Sequence, residues 1–133
     1  MSRLAGEIAD GVLFNWTIPA RLAELSDIVA EGEREAHRGV IQRWEYVRAA
    51  VGPDARERLA EEARRYAQAP AYGRAFEAAG APFEEVGITS PDLQSQLVPY
   101  RQVLDGVVVR ALPPEWQLED ILEIARAAVA TGP

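Results

Sequence analysis

Arg3-Leu4-Ala5-Gly6-Glu7-Ile8-Ala9-Asp10-Gly11-Val12-Leu13-Phe14-Asn15-Trp16-Thr17 reads as a helix end, a tight turn, a buried strand and a polar strand exit. Leu4 and Ile8 stand four apart and share a helical face. Asp10-Gly11 is a turn pair, and a glycine at position 11 can take the positive φ that ends a helix. Val12-Leu13-Phe14 is apolar but too short to be a helix by itself. The strand is placed from about Val12 to Trp16, so Asn15, Trp16 and Thr17 emerge at its carboxyl end.

Downstream, Thr17 or Ile18 is expected to cap a helix with Pro19 in its first turn, where a missing N–H costs nothing. That helix is read from Ala20 to His37, with an apolar stripe of Leu22, Leu25, Ile28 and Val29, and Gly39 is expected to end it. The run Glu31-Gly32-Glu33-Arg34-Glu35 reads as its solvated face. A second strand lies within Ile41–Val51, with Trp44, Tyr46 and Arg48 on one side and Glu45, Val47 and Ala49 on the other. Asp54 is placed to cap the next helix, which buries Leu59, Ala63 and Tyr66. Pro70 opens a short helix carrying Tyr72, Phe76 and Ala79, stopped by Gly80. Ser90-Pro91 is a helix start before Leu93 and Leu97, and Pro99 is expected to kink or split that helix. A second Asp-Gly turn, Asp105-Gly106, precedes a β-branched strand from Val107 to Leu112, of the kind buried on both faces. The last helix is read from about Glu115 to Ala130, burying Leu118, Ile121, Leu122 and Ala125.

Strands separated by helices mean parallel βαβ units, hence an α/β fold. The pattern leaves two architectures open: an open partial barrel, or a small doubly wound sheet with helices on both faces.

At 133 residues the chain is expected to be a single domain over 1–133, long enough to bury a core. A formal charge of −7 argues against nucleic-acid binding and against an anionic membrane surface. There is no cysteine and one histidine, His37, so disulfides, thiolate sites and multi-histidine metal clusters are excluded. No apolar run approaches a membrane span and no signal-like start is present, so a cytoplasmic protein is the expectation. No Gly-rich phosphate loop, nucleophile elbow or metal-ligand spacing is found.

The stretch LAGEIADGVLFNW resembles the sixth-strand region of the bacterial-luciferase-like flavin or deazaflavin oxidoreductases. RWEYVRAAVGPDAR, RYAQAPAYGRAFEAAG and VLDGVVVRALP resemble later parts of the same family, in the same order, and the likeness is greatest to its coenzyme F420 branch. The resemblance implies the C-terminal portion of a (β/α)8 TIM barrel: three parallel strands with flanking helices, left as an open partial barrel. It implies hydride transfer between F420 and an organic small-molecule substrate, or monooxygenation with FMN. In the family the cofactor-phosphate loop lies before the LAGEIADG helix, which would place it upstream of Met1, so little activity and only loose cofactor binding are expected of this chain by itself. A complete barrel takes about 250 residues. Three strands alone leave two unpaired edges and an uncovered inward face carrying groups such as Phe14, Trp44 and Val108, a template for association. The expected partners are therefore a second copy or a complementary N-terminal barrel segment. The alternative function is a non-catalytic half-barrel partner, or a truncated inactive fragment.

In such folds the site lies at the carboxyl ends of the strands. That selects Asn15, Trp16 and Thr17 after the first strand, Arg48 at the end of the second and Arg110 in the third as cofactor- or substrate-binding candidates. Asn15 beside Trp16 suits one wall of a flavin-type pocket by hydrogen bond and stacking. Equally, Asn15 could cap the loop and Trp16 pack at the rim against the next helix. Arg48 and Arg110 suit a phosphate or carboxylate, or else a structural ion pair with Glu45 or a neighbouring carboxylate. Glu7 and Asp10 read as structural capping groups, and Tyr66, Tyr72 and Phe76 as core or interface aromatics. Nothing identifies the acid or base of a reaction.

Overall fold

The computed structural model describes residues 1–129. In chain order it runs α1 (Ser2–Ile8), β1 (Gly11–Asn15), α2 (Pro19–Glu35), β2 (Gln42–Ala49), α3 (Ala55–Ala67), α4 (Pro70–Ala79), a 3-10 turn (Phe83–Glu85), α5 (Leu93–Arg101), β3 (Gly106–Ala111) and α6 (Leu118–Val129). The expected end of the last helix at Ala130 lies outside the described residues. The three strands form one parallel sheet in the order β1-β2-β3. Helices connect and flank them, as the alternation of elements requires.

Pairing is in register from Leu13 to Trp44 to Gly106, and from Asn15 to Tyr46 to Val108. Side chains alternate along each strand, so the sheet has two chemically distinct faces. One carries Phe14, Val47 and Val109 and packs against Leu22 and Val29 of α2, Leu93, Leu97 and Tyr100 of α5, and Ile124 and Ala128 of α6. The other carries Leu13, Trp44 and Val108, which are 58%, 36% and 41% exposed. Phe14 thus belongs to the helix-covered face, not with Trp44 and Val108, because it is one residue out of phase with them. β3 is an edge strand with Val108 open to solvent, rather than a strand buried on both faces. Trp44 lies flat across Gly106, where a Cβ would come within 2.3 Å of its ring.

α1 docks through backbone rather than through its apolar pair. Leu4 and Ile8 are exposed, and the buried residue is Gly6. A Cβ at Gly6 would meet the Val29 carbonyl oxygen at 2.1 Å, and one at Gly32 would meet the Arg3 carbonyl oxygen at 2.2 Å. The stretch from Glu31 to Glu35 is accordingly not all solvated. Gly32 is buried against α1, and Glu33 is buried in a two-pronged ion pair with Arg43, both contacts at 3.0 Å. Glu33 also accepts the Ile41 N–H at 2.8 Å, so its charge is matched and its lone pairs are used.

Several helix ends differ from the sequence reading for local reasons. α2 stops at Glu35 and is closed by His37 at φ +53, with the Arg38 N–H reaching the Glu33 carbonyl at 2.8 Å; Gly39 is not the terminator. Gly11 begins β1 without a positive φ. Asp54 makes no side-chain cap and is itself left-handed at φ +54. Arg58 ties that loop instead, donating to the carbonyls of Val51 at 2.7 Å and Leu112 at 3.3 Å. α5 is capped by Asp92, whose carboxylate accepts from the Ser95 N–H at 3.2 Å and hydroxyl at 2.6 Å; those bonds hold it below the usual carboxylate pKa. It runs unbroken through Pro99, pinned on either side by buried Leu97 and Tyr100. On α6 the buried stripe is Ile124 and Ala128, with Ile121 half-buried, while Leu118, Leu122 and Ala125 face out. That helix is apolar enough to offer two stripes, and the sheet selects one.

The second Asp-Gly turn does more than change direction. The Asp105 carboxylate accepts the Arg43 N–H at 2.7 Å, and the Asp105 N–H donates to the Arg43 carbonyl at 2.9 Å, extending the β2–β3 ladder by one rung. Among the described residues no helix is long and apolar enough to cross a membrane.

Gly32→Ala places a methyl group into the α1 backbone. Helix propensity favours the change by about 1 kcal/mol, but the clash with the Arg3 carbonyl is with rigid backbone. A net loss of about 1–3 kcal/mol is expected, read as a lower midpoint in urea denaturation.

Candidate functional site

β1 ends at Asn15, and Trp16 adopts φ +58, a conformation costly for a bulky side chain. That turn takes the chain out of the sheet and drives the indole inward. Trp16 is 1% exposed, packed 5.3 Å from both Tyr66 of α3 and Phe76 of α4. Tyr66 in turn meets Tyr72 edge-on at 5.2 Å. Trp16 is therefore buried against α3 and α4 rather than placed at the rim. The sheet position that β1 gives up is taken by Ile88. Its N–H donates to the Arg48 carbonyl at 2.9 Å, and its carbonyl accepts the Ala50 N–H at 2.8 Å.

Arg48 sits over this aromatic floor. Its guanidinium carbon is 3.9 Å from the Trp16 ring centroid, 4.7 Å from Tyr46 and 5.1 Å from Tyr66. Nη1 donates to Asn15 Oδ1 and, at 3.1 Å, to the Tyr46 carbonyl. Arg48 is buried, and among the described residues no carboxylate pairs with it. Burial lowers its pKa, with Tyr66 pulling it back up, and the group stays cationic because an arginine starts so high. The Asn15 amide is fixed from both ends, accepting from Arg48 and donating from Nδ2 to the Tyr72 hydroxyl at 3.2 Å.

Arg110 is the register partner of Arg48 on the same face. It pairs with Glu62 of α3 at 2.7 Å, so the structural ion pair foreseen for it exists, with a carboxylate other than Glu45. Asn15, Trp16, Arg48 and Arg110 are thus gathered at the carboxyl ends of the strands. Thr17 is not among them. It turns to the helix-covered face, where its N–H donates to Glu45 Oε1 at 3.2 Å.

A shallow groove of about 470 Å³ runs beside this cluster, lined by Glu62, Arg65, Tyr66, Ala69, Tyr72 and Arg110. Glu62, Tyr66 and Tyr72 are the site residues that sequence reasoning passed over. Their signal was positional: Glu62 and Tyr66 stand four apart on the helix that follows β2, so one face of it presents both. Among the described residues no three His, Asp or Glu side chains converge as a metal site.

Glu45 anchors the site from behind. It is 1% exposed, and its Oε2 has no hydrogen-bond partner among the described residues. Burial pushes its carboxyl up to about 8, against the opposing pull of the Thr17 N–H and the Arg48 charge.

No protein-family model and no curated protein matches the chain. Among solved structures it is similar to the coenzyme F420 dependent tetrahydromethanopterin reductase from Methanopyrus kandleri, with a TM-score of 0.59 and 18% identity. The match covers 94% of this chain and 46% of that one, so the chain spans about half the length of its structural relative. The likeness shows the fold alone: three parallel strands in an open, helix-flanked sheet, matching about half of that α/β structure, as a partial barrel.

The raised Glu45 pKa fixes a pH dependence of stability. Below about pH 4.5 both states hold the proton and the stabilising contribution is complete. As pH rises from there toward about 8, the unfolded chain releases the proton while the folded one keeps it, and stability falls by roughly 1 kcal/mol per pH unit. Glu45→Gln is expected to flatten that slope and to raise stability at about pH 8, measured by urea denaturation across the range.

Proposed function

We propose that this chain forms the C-terminal part of a luciferase-like oxidoreductase barrel that uses a deazaflavin of the F420 type on an organic substrate. The observation that carries the reading is the fold likeness to an F420-dependent reductase along nearly the whole chain. The placement of polar groups supports it. Asn15, Arg48, Tyr72 and Arg110 gather at the strand ends, where barrels of this kind place their chemistry.

The residues fit the ring end of such a group. Leu13, Trp44 and Val108 offer an exposed, largely apolar sheet face, and the Asn15 amide stands beside it in a fixed orientation. When bound, a deazaflavin donates or accepts a hydride. The part of this chain is to orient the ring with Asn15, to exclude water with the apolar face, and to set a positive field with Arg48 and Arg110. Trp16 acts from beneath, as the floor under Arg48 rather than as a stacking wall.

Titration with oxidised F420, followed by its fluorescence, tests this. Saturable binding with a Kd on the order of 10–100 µM is expected, about −5.5 to −7 kcal/mol. Asn15→Ala should weaken it about five-fold or more, the loss of one hydrogen bond to the ring. Preferential binding of FMN would overturn the deazaflavin assignment, and binding of neither by the folded chain would overturn the site.

A second reading is favoured by the uncovered sheet face and by the outer edges of β1 and β3, which pair with no strand among the described residues. Two copies set head to tail, with β3 of each beside β1 of the other, would join six parallel strands into a ring and cover Leu13, Trp44 and Val108. Size-exclusion chromatography with light scattering should then give a dimer, and a clean monomer at high concentration would rule it out.

A further inference from the structure

We propose that Glu45 is a proton-operated latch on the turn after β1, holding Trp16 beneath Arg48 while protonated and releasing it when charged. The turn is strained, so something must hold it. Trp16 stands at φ +58, where a bulky side chain is disfavoured. The next residue, Thr17, sends its N–H to a side chain rather than to the sheet, and that side chain is Glu45, whose Oε1 accepts at 3.2 Å. One carboxyl from the middle of β2 is thus bonded to the residue beside the indole. The indole in turn is the floor on which the Arg48 guanidinium lies, 3.9 Å from the ring centroid. None of these contacts depends on which cofactor the protein uses.

Burial makes the latch sensitive to a proton. Glu45 is 1% exposed, and its Oε2 meets no hydrogen-bond partner among the described residues. A neutral carboxyl keeps one oxygen for the Thr17 N–H and leaves a hydroxyl unpaired; a charged one buries a whole charge, which costs more. The groups around it do not cancel that charge. On β2, Arg43 is bound to Glu33 of α2, and Arg48 lies on Trp16. Tyr100 of α5 is held protonated by its own burial, and α6 packs here through apolar Ile124 and Ala128. Burial therefore outweighs the Thr17 N–H and the Arg48 charge, and the carboxyl titrates at about 8 instead of 4.5. Opening the turn admits water and returns the carboxyl toward 4.5. Below about pH 4.5 both forms hold the proton and the closed turn is fully favoured. Between 4.5 and about 8 only the open form releases it, so the open population grows about ten-fold per pH unit, and above about 8 the growth stops. The open turn takes the floor from under Arg48, so the strand-end charge is set free as pH rises.

Hydrogen exchange of the whole chain, followed by NMR between about pH 5.5 and 7.5, tests the latch. An amide released by pH-indifferent openings exchanges about ten-fold faster per pH unit, because hydroxide is the catalyst; the Thr17 amide is expected to gain about a hundred-fold per unit, and the Trp16 indole N–H to follow it. The opening is local, so a core amide such as that of Val29 should exchange at least about ten-fold more slowly and speed up in about 1 M urea, while Thr17 should not. Glu45→Gln should return Thr17 to the ten-fold slope. In the unaltered chain the Glu45 carboxyl carbon shift should titrate near about 8, a reading that needs no variant to fold. A ten-fold slope at Thr17 in the unaltered chain overturns the proposal, as does a hundred-fold slope that survives Glu45→Gln, a carboxyl that titrates near 4.5, or a Thr17 amide that exchanges only with the core. An indole N–H that does not follow Thr17 overturns the link to Arg48.

Discussion

A guanidinium held face-down on an indole ties together the end of this molecule where its strands finish. Arg48 rises from β2, Trp16 comes from the turn after β1, and Tyr66 closes from α3. The contact draws on cation–π attraction, which is worth most where water is excluded. It also depends on backbone strain: only a left-handed turn at Trp16 brings the indole beneath the arginine. Asn15 then spans from Arg48 to Tyr72, so α4 is tied to the same point. Three strand-end residues and two helices are fixed together around one charge.

The sheet beneath has two faces with different duties. The helix side carries the packed core, the Glu33–Arg43 ion pair and the carboxyl of Glu45. The open side carries Leu13, Trp44 and Val108 in the middle and the arginine pair at the end. A parallel sheet is ordinarily covered on both faces. Here the apolar groups in the middle of that face stand open, while at its end α3 covers the arginine pair through Tyr66 and Glu62.

Much of this was legible in the sequence. Alternating strand and helix patterns set the parallel topology, and the period of two in β2 sorts Trp44, Tyr46 and Arg48 from Glu45, Val47 and Ala49. What escaped was whatever depends on contacts between distant residues. Glu33 reads as a surface glutamate until Arg43 arrives from β2. Leu4 and Ile8 read as a docking face, but the glycines at positions 6 and 32 bring α1 so near α2 that backbone makes the contact. Trp16 was recognisable as a strand-end aromatic, whereas its inward turn follows from a positive φ that no propensity assigns to tryptophan. Tyr66 and Tyr72 read as core or interface aromatics and do pack in the cluster around Trp16, but that their helices return over the strand ends is a tertiary fact.

Ile88 adds something to this architecture. The excursion that holds α3 and α4 departs from the end of β2 at Ala50 and comes back to that same strand, clamped by the two backbone bonds of Ile88. Its neck is stapled to a single point of the sheet. Above that neck the two helices roof the strand ends: without them Trp16 would lose its cover and Arg110 its carboxylate, so the excursion is as much a wall of the scaffold as the strands are.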